Sequence, residues 1–202
     1  MTAAESLNIL PPRVPFMQYT VVDLETTGLS RYAHKITELA AARVEDGEVA
    51  DTFSTLVNPE VHIPSFITRL TGIDDRMVRD APTVAEALPG YLRFLSDDRV
   101  VAHNATFDTG FLSQNAMRIK RPFANGHLCT RRLANRLVPD LPSKRLAARC
   151  EHFRVNNQQA HRAMSDVLAT HEVFLKLQEI AEKQGIAKEQ LQKFATMTRR
   201  WG

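Results

Sequence analysis

The chain has 202 residues, of which 44% are hydrophobic and 24% are charged, as is typical of one globular domain with a sizeable core. Its formal net charge is +3. No apolar run approaches the ~18 residues of a membrane-spanning helix, and the N-terminus lacks the apolar centre of a secretory signal. Two cysteines are too few for a disulfide framework. The composition therefore excludes membrane-spanning and disulfide-rich proteins and predicts a cytoplasmic protein.

The first third of the chain is predicted to form an arm followed by strands. Residues 1–16 contain three prolines and predict a flexible N-terminal arm. The apolar run at 18–24 predicts a strand. Asp46-Gly47 lies between two further apolar runs, which is a hairpin signal and predicts strands near 36–45 and 48–57.

Helices then alternate with short elements. Short helical pieces are expected around 65–79, and Thr83 begins a helix because Glu86 completes a capping box three residues later. The β-branched run at 99–104 predicts a short strand. The next helix is expected to start near Thr106.

The last part of the chain is helical by pattern. We predict helices at 130–138, at 143–150 with Ser143 as N-cap, at about 161–182 and at 187–196. Three strands followed by helices that alternate with short strands predict a mixed α/β sheet.

Two carboxylates interrupt the first strand, in "VVDLETTGL" at 21–29. Residues two apart in a strand point to the same face, so Asp23 and Glu25 project together. Burying two unpaired carboxylates costs several kcal/mol each, and a hard cation such as Mg²⁺ compensates that cost. An exposed strand end whose acids accept hydrogen bonds from loop amides fits equally well. A haloacid dehalogenase-type phosphatase is disfavoured, because Glu25 replaces its second Asp and no later acidic pair starts a helix.

Two later clusters also carry polar groups beside apolar segments. In "HNATFD", Asp108 falls in the first turn of a helix, where it either serves a site or only complements the helix dipole. In "HRAMSD", His161 precedes the longest helix and Asp166 lies among its apolar residues. A solvated Asp is unexpected there, whereas a lone His is more often a satisfied surface residue than a catalyst.

Taken together, the three motifs resemble those of the DnaQ-like (DEDDh) family of 3′→5′ exonucleases, especially the proofreading (epsilon) subunits of bacterial DNA polymerase III. The resemblance covers about residues 17–182. It implies a ribonuclease H-like α/β fold, with a mixed five-stranded sheet flanked by helices. It also implies that four acids hold two divalent metal ions, Mg²⁺ or Mn²⁺, and that His161 acts as general base; the acids are Asp23, Glu25, Asp108 and Asp166.

The resemblance further implies the substrate contacts. Thr26, Leu29, Asn104 and Phe107 would meet the terminal nucleotide of a single-stranded or frayed DNA 3′ end, and 5′-mononucleotides would be released in proofreading or repair. The sugar is left open, since relatives in the family act on RNA.

Charge is unevenly distributed along the chain. Residues 1–108 hold 9 Lys and Arg against 16 Asp and Glu, whereas residues 109–202 hold 17 against 7. The densest basic block, 118–154, has ten Lys and Arg and two acids. Such a block is either a solvated helical surface or a face for a polyanion such as nucleic acid.

We therefore expect three segments: an N-terminal arm at 1–16, an exonuclease domain at 17–185, and a short C-terminal helix and tail at 186–202. A DNA polymerase partner is implied by the resemblance, although the short tail argues against a long partner-binding extension. The alternative is a polymerase-associated nucleic-acid-binding module, with Trp201 in the tail either docking a partner or lying in an unstructured end.

Overall fold

The computed structural model describes residues 18–157 and 159–196. The arm expected at 1–16, and the end of the tail with Trp201, lie outside the described residues. Among the described residues, none of the helices combines the length and the apolar character that crossing a lipid bilayer requires.

Five strands form one mixed sheet in the order β3-β2-β1-β4-β5. The sheet is antiparallel across β1, β2 and β3, and parallel across β1, β4 and β5. The strands are β1 (Gln18–Thr26), β2 (Ile36–Glu45), β3 (Glu48–Leu56), β4 (Val100–Ala102) and β5 (His127–Cys129).

Helices cover both faces of this sheet. They are α1 (Ser65–Thr71), α2 (Asp75–Val78), α3 (Val84–Leu95), α4 (Thr106–Arg118), α5 (Thr130–Leu137), α6 (Leu146–Phe153), α7 (Ala163–Lys183) and α8 (Lys188–Ala195). The expected mixed sheet flanked by helices is confirmed.

Most local signals in the sequence produced the elements they predicted. Asp46 and Gly47 form the turn of the hairpin, and both have the positive φ that a tight two-residue turn requires. The backbone N–H of Thr83 donates to the Glu86 carboxylate at 2.8 Å, which is one half of the predicted capping box.

Two details of the sequence prediction are wrong. The fifth strand, β5, has only three residues and was not predicted, because so short a run has no readable alternation. Helix α6 starts at Leu146 with Arg145 as its N-cap, so Ser143 does not begin it. Ser143 instead accepts a weak hydrogen bond of 3.4 Å from the backbone N–H of Arg145, two residues later in the loop.

The central strand β1 is buried on both faces, which accounts for its continuous apolar run. Tyr19 and Val21 point into the core formed with α5, α6, α7 and α8. Val22 and Leu24 point into the second core, formed with α3 and α4. The parallel strands β1 and β4 therefore bring their carboxyl ends to one edge, where α4 begins directly after β4.

Candidate active site

Both carboxylates of the first motif lie at the carboxyl end of β1. Asp23 and Glu25 share the face of Tyr19 and Val21, which is the face that α7 covers. Glu25 is 9% exposed. The strand thus presents two acids, on a rigid backbone, toward the start of α7.

Asp108 approaches the same edge from the other face of the sheet. It lies in the first turn of α4, is 2% exposed, and its carboxylate accepts a hydrogen bond from the backbone N–H of Leu24. This bond ties α4 to β1. Asn104, which precedes the helix, adopts a positive φ of 68° and accepts from the N–H of Phe107 through its backbone carbonyl.

The third motif closes the site from α7. Asp166 belongs to the first turn of this helix rather than its interior, and it accepts hydrogen bonds from Asn157 Nδ2 at 2.7 Å and from the backbone N–H of His161 at 3.1 Å. His161 is exposed and has a φ of 66°. One potential ligand atom each from Glu25, His161 and Asp166 lie within 4.8 Å of one another.

The four acids strongly perturb one another. Burial first, and then the neighbouring carboxylates, raise the pKa of Asp23 well above its ordinary value and that of Glu25 to about 8. Burial also raises the pKa of Asp108 to about 8 and is the largest cause of the raised pKa of Asp166. Carboxylates that are crowded in this way are stabilised by a hard cation, and oxygen donors are the set that Mg²⁺ and Mn²⁺ prefer.

A fifth acid, Glu38, belongs to the same neighbourhood and was missed in the sequence. It lies on β2 directly opposite Glu25, is 3% exposed, and its charge contributes to the raised pKa of Glu25. An acid in the apolar run "ITELAAARV" is the signal that could have revealed it, by the same reasoning that singled out Asp23.

Glu38 is paired with Arg162, the N-cap residue of α7. The carboxylate accepts from Arg162 Nη2 at 2.9 Å and Nε at 3.3 Å, and from the backbone N–H of Ala163 at 2.9 Å. Glu38 therefore accepts from one of the free N–H groups at the start of the helix, and the guanidinium of Arg162 neutralises its charge. This pairing fixes the segment that carries His161 and Asp166.

The residues expected to contact substrate lie at the end of β1, in the loop after it, and just before or within the start of α4. Thr26 is buried and its hydroxyl donates to the carbonyl of Gly28 at 2.8 Å, whereas Leu29 is 85% exposed. Asn104 Oδ1 accepts from Arg131 Nη1 at 3.0 Å. Phe107 packs against Phe111 with 5.0 Å between ring centroids. Leu29 thus offers a free apolar surface, while the Thr26 hydroxyl and Asn104 Oδ1 already have partners.

Gly28 is required by close packing in this loop. A Cβ at this position would collide with the imidazole of His34, whose Nδ1 accepts a hydrogen bond from the Ser30 N–H. The loop after β1 can therefore fold back tightly only with glycine here.

Comparison with known proteins identifies relatives over most of the chain. The RNase_T family model, described as Exonuclease, matches residues 20–174. The DNA polymerase III subunit epsilon of Aquifex aeolicus is 38% identical over 83% of this chain and 84% of its own length. A DNA polymerase III PolC-type protein of Caldanaerobacter subterraneus subsp. tengcongensis is 41% identical over 84% of this chain, which spans only 12% of that relative.

A solved structure has the same architecture. Exonuclease X in complex with 5′ overhanging duplex DNA superposes with a TM-score of 0.67 at 29% identity, covering 87% of this chain and 98% of the other.

Proposed function

The chain belongs to the exonuclease family whose model matches residues 20–174, and from that premise we propose that it is a metal-dependent 3′→5′ exonuclease. It hydrolyses the terminal phosphodiester of a DNA 3′ end and releases 5′-mononucleotides. The observation that carries this proposal is the convergence of carboxylates from β1, α4 and α7 beside an exposed imidazole.

Two divalent cations, Mg²⁺ or Mn²⁺, would be held by Asp23, Glu25, Asp108 and Asp166. When bound, they supply charge stabilisation for the transferred phosphoryl group and lower the pKa of the attacking water. The donor set fits, because these are oxygen ligands whose pKa values are raised first by burial and then by repulsion from the neighbouring carboxylates. Arg162 balances Glu38, so four net negative charges remain for four positive ones.

His161 is the proposed general base. Its side chain is exposed while its backbone N–H is anchored to Asp166, so the ring can approach a water beside Glu25 and Asp166 without moving the helix. Imidazole exchanges a proton near neutral pH, which suits removal of a proton from the attacking water.

The proposed substrate contacts follow the exposure of each residue. Leu29 and Phe107 pack against the terminal base, the Thr26 backbone meets the 3′ end, and Asn104 together with Arg131 binds a phosphate or sugar oxygen. Support for DNA comes from Exonuclease X, solved with DNA, and from the two DNA polymerase III relatives.

We further propose that the protein acts in proofreading or repair together with a DNA polymerase. The same two DNA polymerase III relatives support this role. We place the exonuclease domain at 17–185, preceded by the arm at 1–16 and followed by the helix and tail at 186–202.

The test is a degradation ladder on two strands of the same sequence, one DNA and one RNA, each labelled at its 5′ end. We expect the DNA to shorten one nucleotide at a time with Mg²⁺ or Mn²⁺, and cleavage to stop in EDTA and in Asp23→Ala. Faster shortening of RNA would make the protein an exoribonuclease. Absence of a ladder on both strands, despite metal binding, would leave a module that only binds ends.

A further inference from the structure

A basic cleft lies between α5 and α8, and none of the carboxylates of the candidate active site lines it. It has a volume of about 420 Å³ and is lined by Arg132, Asn135, Arg136, Lys193 and Phe194. Its lining thus contains three cations and no acid. Within the described ranges 18–157 and 159–196, none of these cations forms an ion pair with a carboxylate.

Two donors of the cleft, Arg136 and Asn135, have neighbours that restrain them. The guanidinium of Arg136 stacks over the ring of Phe194, with its Cζ 5.0 Å from the ring centroid. Stacking restrains a long side chain and leaves its N–H groups free for an anion. Holding donors before binding reduces the entropy cost of association.

Asn135 is oriented by a buried arginine. Arg149 is 0% exposed, and its Nη2 donates to Asn135 Oδ1 at 2.9 Å. Because arginine only donates, the Asn135 oxygen must face Arg149, which leaves the amide NH₂ as the group available to a ligand. The polar groups that the cleft can offer are therefore all hydrogen-bond donors.

Arg149 itself lacks compensation. Its Nε and Nη1 have no hydrogen-bond partner, and no carboxylate in the described part of the chain forms an ion pair with it. A buried, unpaired cation costs free energy, and an anion bound nearby would offset part of that cost.

Helix α5 links this cleft to the carboxylate site. It starts at the carboxyl end of β5, and Arg131 in its first turn donates to Asn104 beside the carboxylates. With a helical rise of 1.5 Å per residue, the backbone of Arg136 lies roughly 7 Å farther along the helix axis than that of Arg131. Helix α5 therefore carries one cation beside the carboxylate site and others in the cleft.

We propose that the α5–α8 cleft binds a backbone phosphate of the same nucleic-acid strand whose end enters the active site. The inference rests on the proposed nuclease function. The cleft adds affinity for long strands, and the chemistry at the end of the strand does not depend on it. A dinucleotide ends before the cleft and gains nothing from it.

The test compares the double variant Arg136→Gln/Lys193→Gln with Arg93→Gln/Lys183→Gln, which removes the same charge from exposed positions on α3 and α7. Binding of a fluorescent twelve-nucleotide DNA is measured in EDTA over a range of salt concentrations, so cleavage is not needed for the result. Each phosphate contact to a single strand contributes roughly 0.7 to the slope of log Kd against log salt, so losing the one phosphate held in the cleft should lower the slope by about 0.7 and weaken binding about fourfold at 0.15 M salt.

Binding of a dinucleotide, and hydrolysis of it with Mg²⁺, should be unchanged in both variants. Equal weakening in the control variant, equal weakening for the dinucleotide, or an unaltered salt slope would each overturn the proposal. Inorganic phosphate is the second probe. If it binds wild type but not the cleft variant, and the long strand binds both alike, the cleft is a site for free phosphate and the inference is wrong.

Discussion

Replacing Glu38 by alanine tests whether the start of α7 is held by charge. Three hydrogen bonds are lost, two from Arg162 and one from the backbone N–H of Ala163. Breaking a fully buried ion pair costs about 3–5 kcal/mol, but the Arg162 side chain is 38% exposed and water can solvate it again. Loss of repulsion with Glu25 offsets a further part.

The remaining cost is that of the unpaired Ala163 N–H and of the freed arginine, for which we expect the free energy of unfolding in EDTA to fall by roughly 2 kcal/mol. Displacement of His161 and Asp166 should lower kcat about 10–100-fold, the range seen when a partner of a metal ligand is removed. KM for DNA should change by less than about twofold, because this pair does not contact the strand.

The assay combines urea unfolding in EDTA with single-turnover cleavage of DNA at saturating metal. Glu38→Gln should lie between wild type and alanine, since its carbonyl can still accept from Ala163 while its amide opposes Arg162. Glu45→Ala, at the exposed end of the same strand, is the matched control. If Glu38→Ala turns over DNA at the wild-type rate, the positioning argument is refuted, whatever its stability.

Three further predictions concern single residues. Asp23→Ala should abolish high-affinity Mn²⁺ binding, measured by calorimetry, and reduce turnover by orders of magnitude. It should not destabilise the metal-free protein, because it removes a crowded carboxylate. Near-normal turnover would contradict the metal assignment. His161→Ala should keep Mn²⁺ binding but slow single-turnover cleavage about 10²–10⁴-fold, and an unchanged rate between pH 6 and 9 would exclude it as the base. His103 is partly buried between Thr130 and the carbonyl of Lys144, and its removal from water lowers its pKa to about 4. Its neutral form therefore stabilises the fold above pH 6.5, and this contribution is lost as pH falls toward 4, amounting to roughly 2 kcal/mol by pH 5. The contribution of Glu25 to stability changes in the opposite sense over that pH range, because its pKa is raised. The effect of His103 is therefore measured as the difference between wild type and His103→Gln in urea unfolding at pH 7.5 and pH 5. Equal pH dependence of the two proteins would count against a neutral His103.

Local patterns in the sequence were sufficient for most of the fold. The Asp46-Gly47 turn and the Thr83 capping box depend on neighbours within three residues, and both appear as predicted. Helix α6 failed as a local prediction because Ser143 makes its hydrogen bond within the preceding loop. Strand β5 exists only because β4 pairs with it, and three residues alone carry no strand signal.

The site divides in the same way. The sequence predicts Asp23, Glu25 and Asp108 at the ends of elements but Asp166 inside the longest helix, whereas α7 starts later and has Asp166 in its first turn. That the four acids belong to one site follows from the resemblance of the three motifs. The pairing of Glu38 with Arg162 joins residues 124 positions apart and depends on how α7 crosses β2. The cleft between α5 and α8 likewise depends on tertiary packing, which leaves no spacing rule in the chain.

Strand β3 forms one edge of the sheet and is mostly exposed, with Glu48 and Asp51 among its solvent-facing residues. An unpaired edge is a template on which another chain can add a strand and aggregate, and charged side chains along it oppose such pairing through desolvation and repulsion. Among residues 18–157 and 159–196 no strand pairs with the outer edge of β3, and we expect its acids to oppose association between the edges of two molecules. Replacing Glu48 and Asp51 by β-branched apolar residues would leave the carboxylate site intact but would cause the protein to aggregate.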